Sequence, residues 1–244
     1  MNETQTLETL KSLRLLAMAE VYEAFLRLGP SDSRTTSELI AEMAESEWNA
    51  KWNRKTERLL KKAQLRIPAS LDEIDYSPER NLDKGVMQSL ARMEWVKTGS
   101  TVLITGATGV GKSFLACALG TEACLQGYST RYFGAPKLFR KLRMARGEGT
   151  YTEEVKRLAK TSLLIIDDFG LMPLEHDDRL ALLEILEDRY RKAATIIAAQ
   201  IPISSWHQTI AEPTIADAVM DRLAHTPYIF ELKGGSRRRK DPPD

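Results

Sequence analysis

Residues 106–113 read Gly-Ala-Thr-Gly-Val-Gly-Lys-Ser, a pattern that leaves a chain few choices of fold. The spacing G-x-x-x-x-G-K-S carries meaning only between a strand and a helix. Here the β-rich run Thr101–Thr105 precedes it, and the stretch from Ser113 to Gln126, closed by Gly127, reads as a helix. Gly106, Gly109 and Gly111 free the loop from Cβ constraints, so successive backbone N–H groups can turn inward on phosphate oxygens. The following helix adds unpaired N–H groups and the positive end of its dipole. Lys112 is expected to reach β- and γ-phosphates, and Ser113 to ligate Mg²⁺. The expected nucleotide-binding set is therefore Gly106, Ala107, Thr108, Gly109, Val110, Gly111, Lys112, Ser113 and Phe114.

A second acidic element lies about 60 residues on. Leu163–Ile166 is a continuous apolar run, as a strand buried on both faces requires, and it ends in Asp167-Asp168. Ligands of open α/β sheets bind at that edge. Asp167 fits the role of holding Mg²⁺ and its water, and Asp168 that of orienting the attacking water. The alternative for Asp168 is a cap on the turn at Phe169-Gly170. Gln200 closes the run Ile196–Ala199 and is the polar candidate beside a γ-phosphate, or else simply a solvated strand end. Arg222, next to Asp221, is either a surface ion-pair residue or an arginine finger for a neighbour's site.

Between these motifs the texture alternates. Strands are expected at 101–105, 130–133, 163–166, 195–199 and 228–232, with helices at 113–126, 136–146, 151–160, 176–191 and 214–225. That alternation predicts an α/β fold with a five-stranded parallel sheet covered on both faces. The first 68 residues read instead as a small all-helical domain. Leu10, Leu13, Ala17, Val21 and Phe25 form one helical stripe, stopped at Gly29-Pro30. Thr35 with Glu38 has capping-box spacing for a second helix, long or broken once, whose buried face would carry Leu39, Met43, Trp48 and Trp52. Pro68 to Pro78 reads as a linker, giving domains at 1–68 and 69–232 and a basic tail at 233–244.

Charge decides which partners to consider. With 35 Lys+Arg against 34 Asp+Glu the net charge is +1, but the basic residues are segregated. Lys51–Arg66 holds seven basic residues, including Arg54, Lys55 and Arg58, against one acid, Glu57. Lys137, Arg140, Lys141, Arg143 and Arg146 share one helix with no acid among them, and Lys233–Lys240 carries five more. Such clusters can track duplex DNA through its phosphates, independently of sequence, or be solvated faces. Two cysteines, Cys117 and Cys124, exclude a disulfide scaffold and are expected to be buried. The three histidines are isolated, so zinc is not expected. MNETQTLETL lacks the features of a signal peptide, and no apolar run approaches the ~18 residues of a membrane span. The expectation is a cytoplasmic protein with no membrane partner.

Taken together, Gly106–Ser113, the run Leu163–Leu171, Gln200–His207, Asp221–His225 and Glu231–Gly234 resemble the IstB-type ATPases. Leu10–Leu15, Glu47-Trp48 and Pro68–Tyr76 extend the resemblance over nearly the whole chain. These are AAA+ helper proteins of insertion-sequence transposition, related to the bacterial helicase loader DnaC. The resemblance implies an AAA+ P-loop core after a helical N-terminal domain, and ATP and Mg²⁺ as cofactors. It implies homo-oligomeric assembly, ring or helical, on double-stranded DNA, with Arg222 acting in trans. It also implies a partner transposase encoded by the same element and a bacterial, nucleoid-associated location. In two respects the chain departs from the expectation of the family: Ala198-Ala199 stand where Thr or Ser usually precedes Gln200, and a helical lid domain after the last strand is not expected. A helicase loader in replication, a P-loop kinase for a small molecule, and a DNA-binding scaffold that uses ATP only as glue are the competing readings.

Overall fold

The computed structural model describes residues 2–29, 33–224 and 227–236. The chain divides into two compact units, Met1–Arg58 and Leu59–Asp244, and the division falls inside one long helix.

In the first unit, α1 (Glu3–Ser12) and α2 (Leu16–Leu28) replace the single expected helix. The break is a left-handed residue, Arg14 at φ 59°, after which the Leu15 N–H donates to the Leu10 carbonyl. Leu13 is left exposed, so the stripe read through it was not one buried face. The long helix α3 (Thr36–Ala63) is unbroken, and its capping box is present: Thr35 N–H donates to Glu38 Oε2 at 2.7 Å, and Glu38 N–H to Thr35 Oγ1 at 3.2 Å. Leu39 and Met43 are buried as expected, but Trp48 is 62% exposed. Positions 39, 43 and 47 lie on one line of the helix, and 48 is about 100° away. The buried place goes to Glu47, whose Oε2 accepts from Ala17 N–H (3.0 Å) and Met18 N–H (3.3 Å). The carboxylate thus satisfies the free N–H groups that open α2 and meets the positive end of its dipole.

The second unit holds the sheet: β1 (Thr101–Gly106), β2 (Thr130–Gly134), β3 (Leu163–Phe169), β4 (Ala194–Ala199) and β5 (Pro227–Leu232), all parallel, in the order β2-β3-β4-β1-β5. Both faces are covered, and successive strand residues alternate between two cores. Val102, Ile104, Leu163, Ile165 and Ile196 pack with α6 (Lys112–Leu125) and with two helices not anticipated from the sequence, α4 (Lys84–Ala91) and α5 (Glu94–Lys97). Leu103, Leu164, Ile166 and Ile197 face α7 (Ala135–Gly147), α8 (Tyr151–Ala159), α9 (His176–Arg189), α10 (Trp206–Ile210) and α11 (Pro213–Ala224). Each of these fully buried aliphatic side chains contributes about 1.5–3 kcal/mol. Residues 68–78 are not a loose linker. Ala69 and Ile74 are buried in the first of these cores, and 3₁₀ turns form at Leu71–Glu73 and Pro78–Arg80. Described residues end at Ser236, so the cluster Arg237–Lys240 lies outside them, as does His225.

Candidate active site

Strand register assembles the site. Thr105 pairs with Ala199, and Gly134 with Asp167, so the residues that follow each strand meet at one edge of the sheet. Gly106, Asp167-Asp168 and Gln200 are brought together there. The phosphate loop lies where chain order reverses between β1 and β4, the expected crevice of an open sheet.

The loop depends on its glycines at two points. Gly106 has φ 143°, and a Cβ there would collide with the Leu232 carbonyl on β5. Gly111, at φ 99°, caps α6 in a left-handed conformation, and a Cβ would lie 2.9 Å from Arg80 Nη2. That guanidinium is buried and donates to the Val110 carbonyl (2.9 Å) and the Asp75 carbonyl (2.7 Å), tying the loop to the segment ahead of the sheet. Lys112 is the first residue of α6, and its Nζ donates to the carbonyls of Gly106 and Ala107 at 2.8 Å each. The Thr108 hydroxyl donates to Gln200 Oε1 at 2.8 Å, so Gln200 belongs to the site. Lys112, Ser113, Phe114, Thr108, Asp168 and Gln200 line one cavity of about 460 Å³, a size that suits a small ligand.

Asp167 is 1% exposed. Its Oδ2 accepts from the Tyr132 hydroxyl at 2.6 Å, and its Oδ1 from Asp168 N–H at 2.8 Å. Burial and the neighbouring carboxylate push the Tyr132 phenol well above its ordinary range, so it stays a donor. Asp168 sits at φ 56° beside a register shift between Ile166 and Phe169, which turns its carboxylate out of the strand. Arg66 Nη1 lies 2.9 Å from Asp168 Oδ2 and 3.8 Å from Asp167 Oδ2. Contact with Tyr132 and then with the two carboxylates raises the Arg66 pKa. Tyr132 and this use of Arg66 escaped the sequence, because each partner is brought in by strand pairing or tertiary packing and not by local spacing. Ser113, Asp167 and Asp168 offer only hard oxygen donors, the kind Mg²⁺ takes alongside phosphate oxygens. Among the described residues there is no cluster of three or more His, Cys, Asp or Glu that could hold a metal by itself.

Arg222 is not at this edge. It lies with Gly99, Thr101 and Thr195, at the strand starts, about 17 Å of β1 away from the loop. Its Nε donates to Glu187 Oε2 and its Nη1 to Asp221 Oδ2, both at 2.6 Å. On α7 three of the five expected DNA contacts are engaged within the fold. Lys141 pairs with Glu154, Arg143 with Asp178 (2.6 Å), and Arg146 with Asp177 (2.8 Å). Lys137 and Arg140 are exposed on one face, continued by Met144. In the first unit Arg54 bonds to the Ala50 carbonyl and Glu47, and Lys55 lies 4.7 Å over the Trp52 ring, which stacks on Trp48; Arg58 is exposed. Cys117 and Cys124 are free and buried, and burial raises both thiol pKa values.

The family described as IstB-like ATP binding protein matches residues 8–243. The chain belongs to that family. An insertion sequence ATP-binding protein of Sinorhizobium fredii is 41% identical over 234 residues, covering 96% of each chain. Among solved structures the fold is shared with DnaI (TM-score 0.56, 21% identity, 72% of this chain and 94% of that one). It is shared also with the DnaC helicase loader (TM-score 0.52, 18% identity, 72% and 99%). The chain is an ATP-binding P-loop protein, an ATPase of the IstB-like family, and its second unit has the fold of DnaI and DnaC. No helix among the described residues is long and apolar enough to cross a membrane.

Proposed function

We propose that this ATPase is the helper subunit of an insertion sequence. It binds Mg²⁺ and ATP at the Gly106–Ser113 loop, assembles with copies of itself on duplex DNA, and recruits and stimulates the transposase of the same element. The transposase role rests on relatives described as insertion sequence ATP-binding proteins. A location in the bacterial cytoplasm, on the nucleoid, follows from DNA as partner. In this reading Lys112 neutralises the terminal phosphates, Ser113 and Asp167 hold Mg²⁺, and Asp168 with Gln200 orients the attacking water. The metal supplies charge neutralisation of the phosphates; the side chains supply position.

The observation that carries assembly is the separation of Arg222 from its own cavity. A cation at the strand starts cannot reach a γ-phosphate at the strand ends of the same subunit, whereas head-to-tail packing brings opposite edges of two copies together. The test is subunit complementation. Lys112→Ala should lose nucleotide binding, and Arg222→Ala should bind nucleotide but lose ATPase activity. A mixture of the two should regain activity, because Arg222 of the first variant completes the site of the second. A mixture as inactive as its components would overturn the trans role.

DNA contact is assigned to Lys137 and Arg140, which project from α7 without an ion-pair partner among the described residues, and with them to exposed Arg58. Lys141, Arg143 and Arg146 then stiffen the helix that presents those two.

A further inference from the structure

We propose that Arg66 is the resident counter-ion of the Asp167–Asp168 pair, held on the carboxylates until Mg²⁺ and nucleotide take its place. The proposal rests on the reading of Asp167 as the metal-holding residue. A carboxylate as buried as Asp167 costs several kcal/mol unless a cation or strong donors accompany it. Tyr132 and the Asp168 N–H donate to it, and Arg66 brings the positive charge. The charge is placed on the cavity side, since Arg66 lines the same space as Lys112 and Ser113. Mg²⁺ needs those same carboxylate oxygens, and two cations on one carboxylate pair repel each other. Occupancy by one therefore weakens the other, and the coupling is reciprocal.

The surroundings allow the side chain to leave without unravelling its segment. Arg66 is half-exposed, whereas its neighbours are fixed. Leu65 and Ile67 pack against the core, and a Cβ on Gly120 would lie 2.9 Å from Leu65 Cδ2. Arg131 Nη1 donates to the Lys62 carbonyl at 3.0 Å, holding the end of α3. A pinned backbone with a long, half-exposed cation gives a local exchange of charges and no rearrangement of the fold.

The experiment compares full-length wild type with Arg66→Gln and Arg66→Lys. Two quantities are measured: the Mg²⁺ concentration for half-maximal ADP and ATP binding, and the melting temperature without nucleotide, in EDTA and with Mg²⁺ alone. Removing the competitor should lower the Mg²⁺ midpoint of Arg66→Gln by about fivefold, the scale of one partly exposed ion pair. Its melting temperature should fall in EDTA and be raised by Mg²⁺ more than that of wild type. Arg66→Lys should stay near wild type in both. An unchanged or raised midpoint in Arg66→Gln overturns the proposal while leaving the metal reading intact. Nucleotide affinity insensitive to Mg²⁺ in all three proteins removes the metal reading itself, and the proposal with it.

Discussion

Asp167 shows how much a single residue depends on what surrounds it. The carboxylate is buried, accepts from Tyr132 and the Asp168 N–H, and lies 3.8 Å from Arg66 Nη1. Removing a hydrogen bond that orients a metal ligand typically costs about 10–100-fold in metal affinity. Tyr132→Phe should therefore raise the Mg²⁺ midpoint for nucleotide binding by at least about tenfold with the fold intact by circular dichroism. That shift is opposite in sign to the one expected of Arg66→Gln. A midpoint unchanged from wild type would mean the phenol does not orient the metal ligand. The motif residues Gly106–Ser113, Asp167, Asp168 and Gln200 were legible because each sits at a recognisable junction of local structure. Tyr132 and Arg80 were not, since their roles come from the Asp167 carboxylate on the adjacent strand and from the Val110 carbonyl 30 residues away.

At the scale of elements, α8, α9 and β4 are locked by a buried arginine. Arg189 is 1% exposed; it donates to the carbonyls of Leu158 (2.5 Å), Thr161 (2.7 Å) and Ala194, and to Thr195 Oγ1 at 3.0 Å. Burial pushes its pKa down to about 9, which still leaves it charged at neutral pH. Its bonds to the last turn of α8 are thus charge-assisted. Arg189→Met should destabilise the second unit by about 3 kcal/mol, the scale of bonds to a charged donor, seen as a lower denaturant midpoint with unchanged slope. Equal midpoints would refute this. Most elements were readable from periodicity and end signals. The α1–α2 break uses a left-handed Arg14 and no glycine, so it leaves no local signal, and the five residues of α10 are too few to show a period.

For the whole molecule, the charge pattern matters more than its sum. Three basic clusters were visible, but on α7 three of the five side chains are spent on Glu154, Asp178 and Asp177. Lys137→Ala with Arg140→Ala should therefore reduce affinity equally for unrelated duplexes and flatten the dependence of log K on log salt by about two. Lys141→Ala should change affinity little, and a loss in that variant matching the double substitution would contradict the assignment. DNA affinity independent of salt would remove the phosphate-track reading for every cluster.

Sequence alone determined the phosphate loop, the strand that presents Asp167-Asp168, the parallel α/β class and the family. Each of these is written in short-range patterns that local geometry must obey. Tertiary structure alone decided that Arg66 and Tyr132 close on the acidic pair and that Glu47 caps a helix. It also decided that Arg222 stands at the far edge from its own cavity, and that two of the α7 cations remain open. These depend on which strands lie side by side and which charges meet across the fold, and no local spacing encodes them.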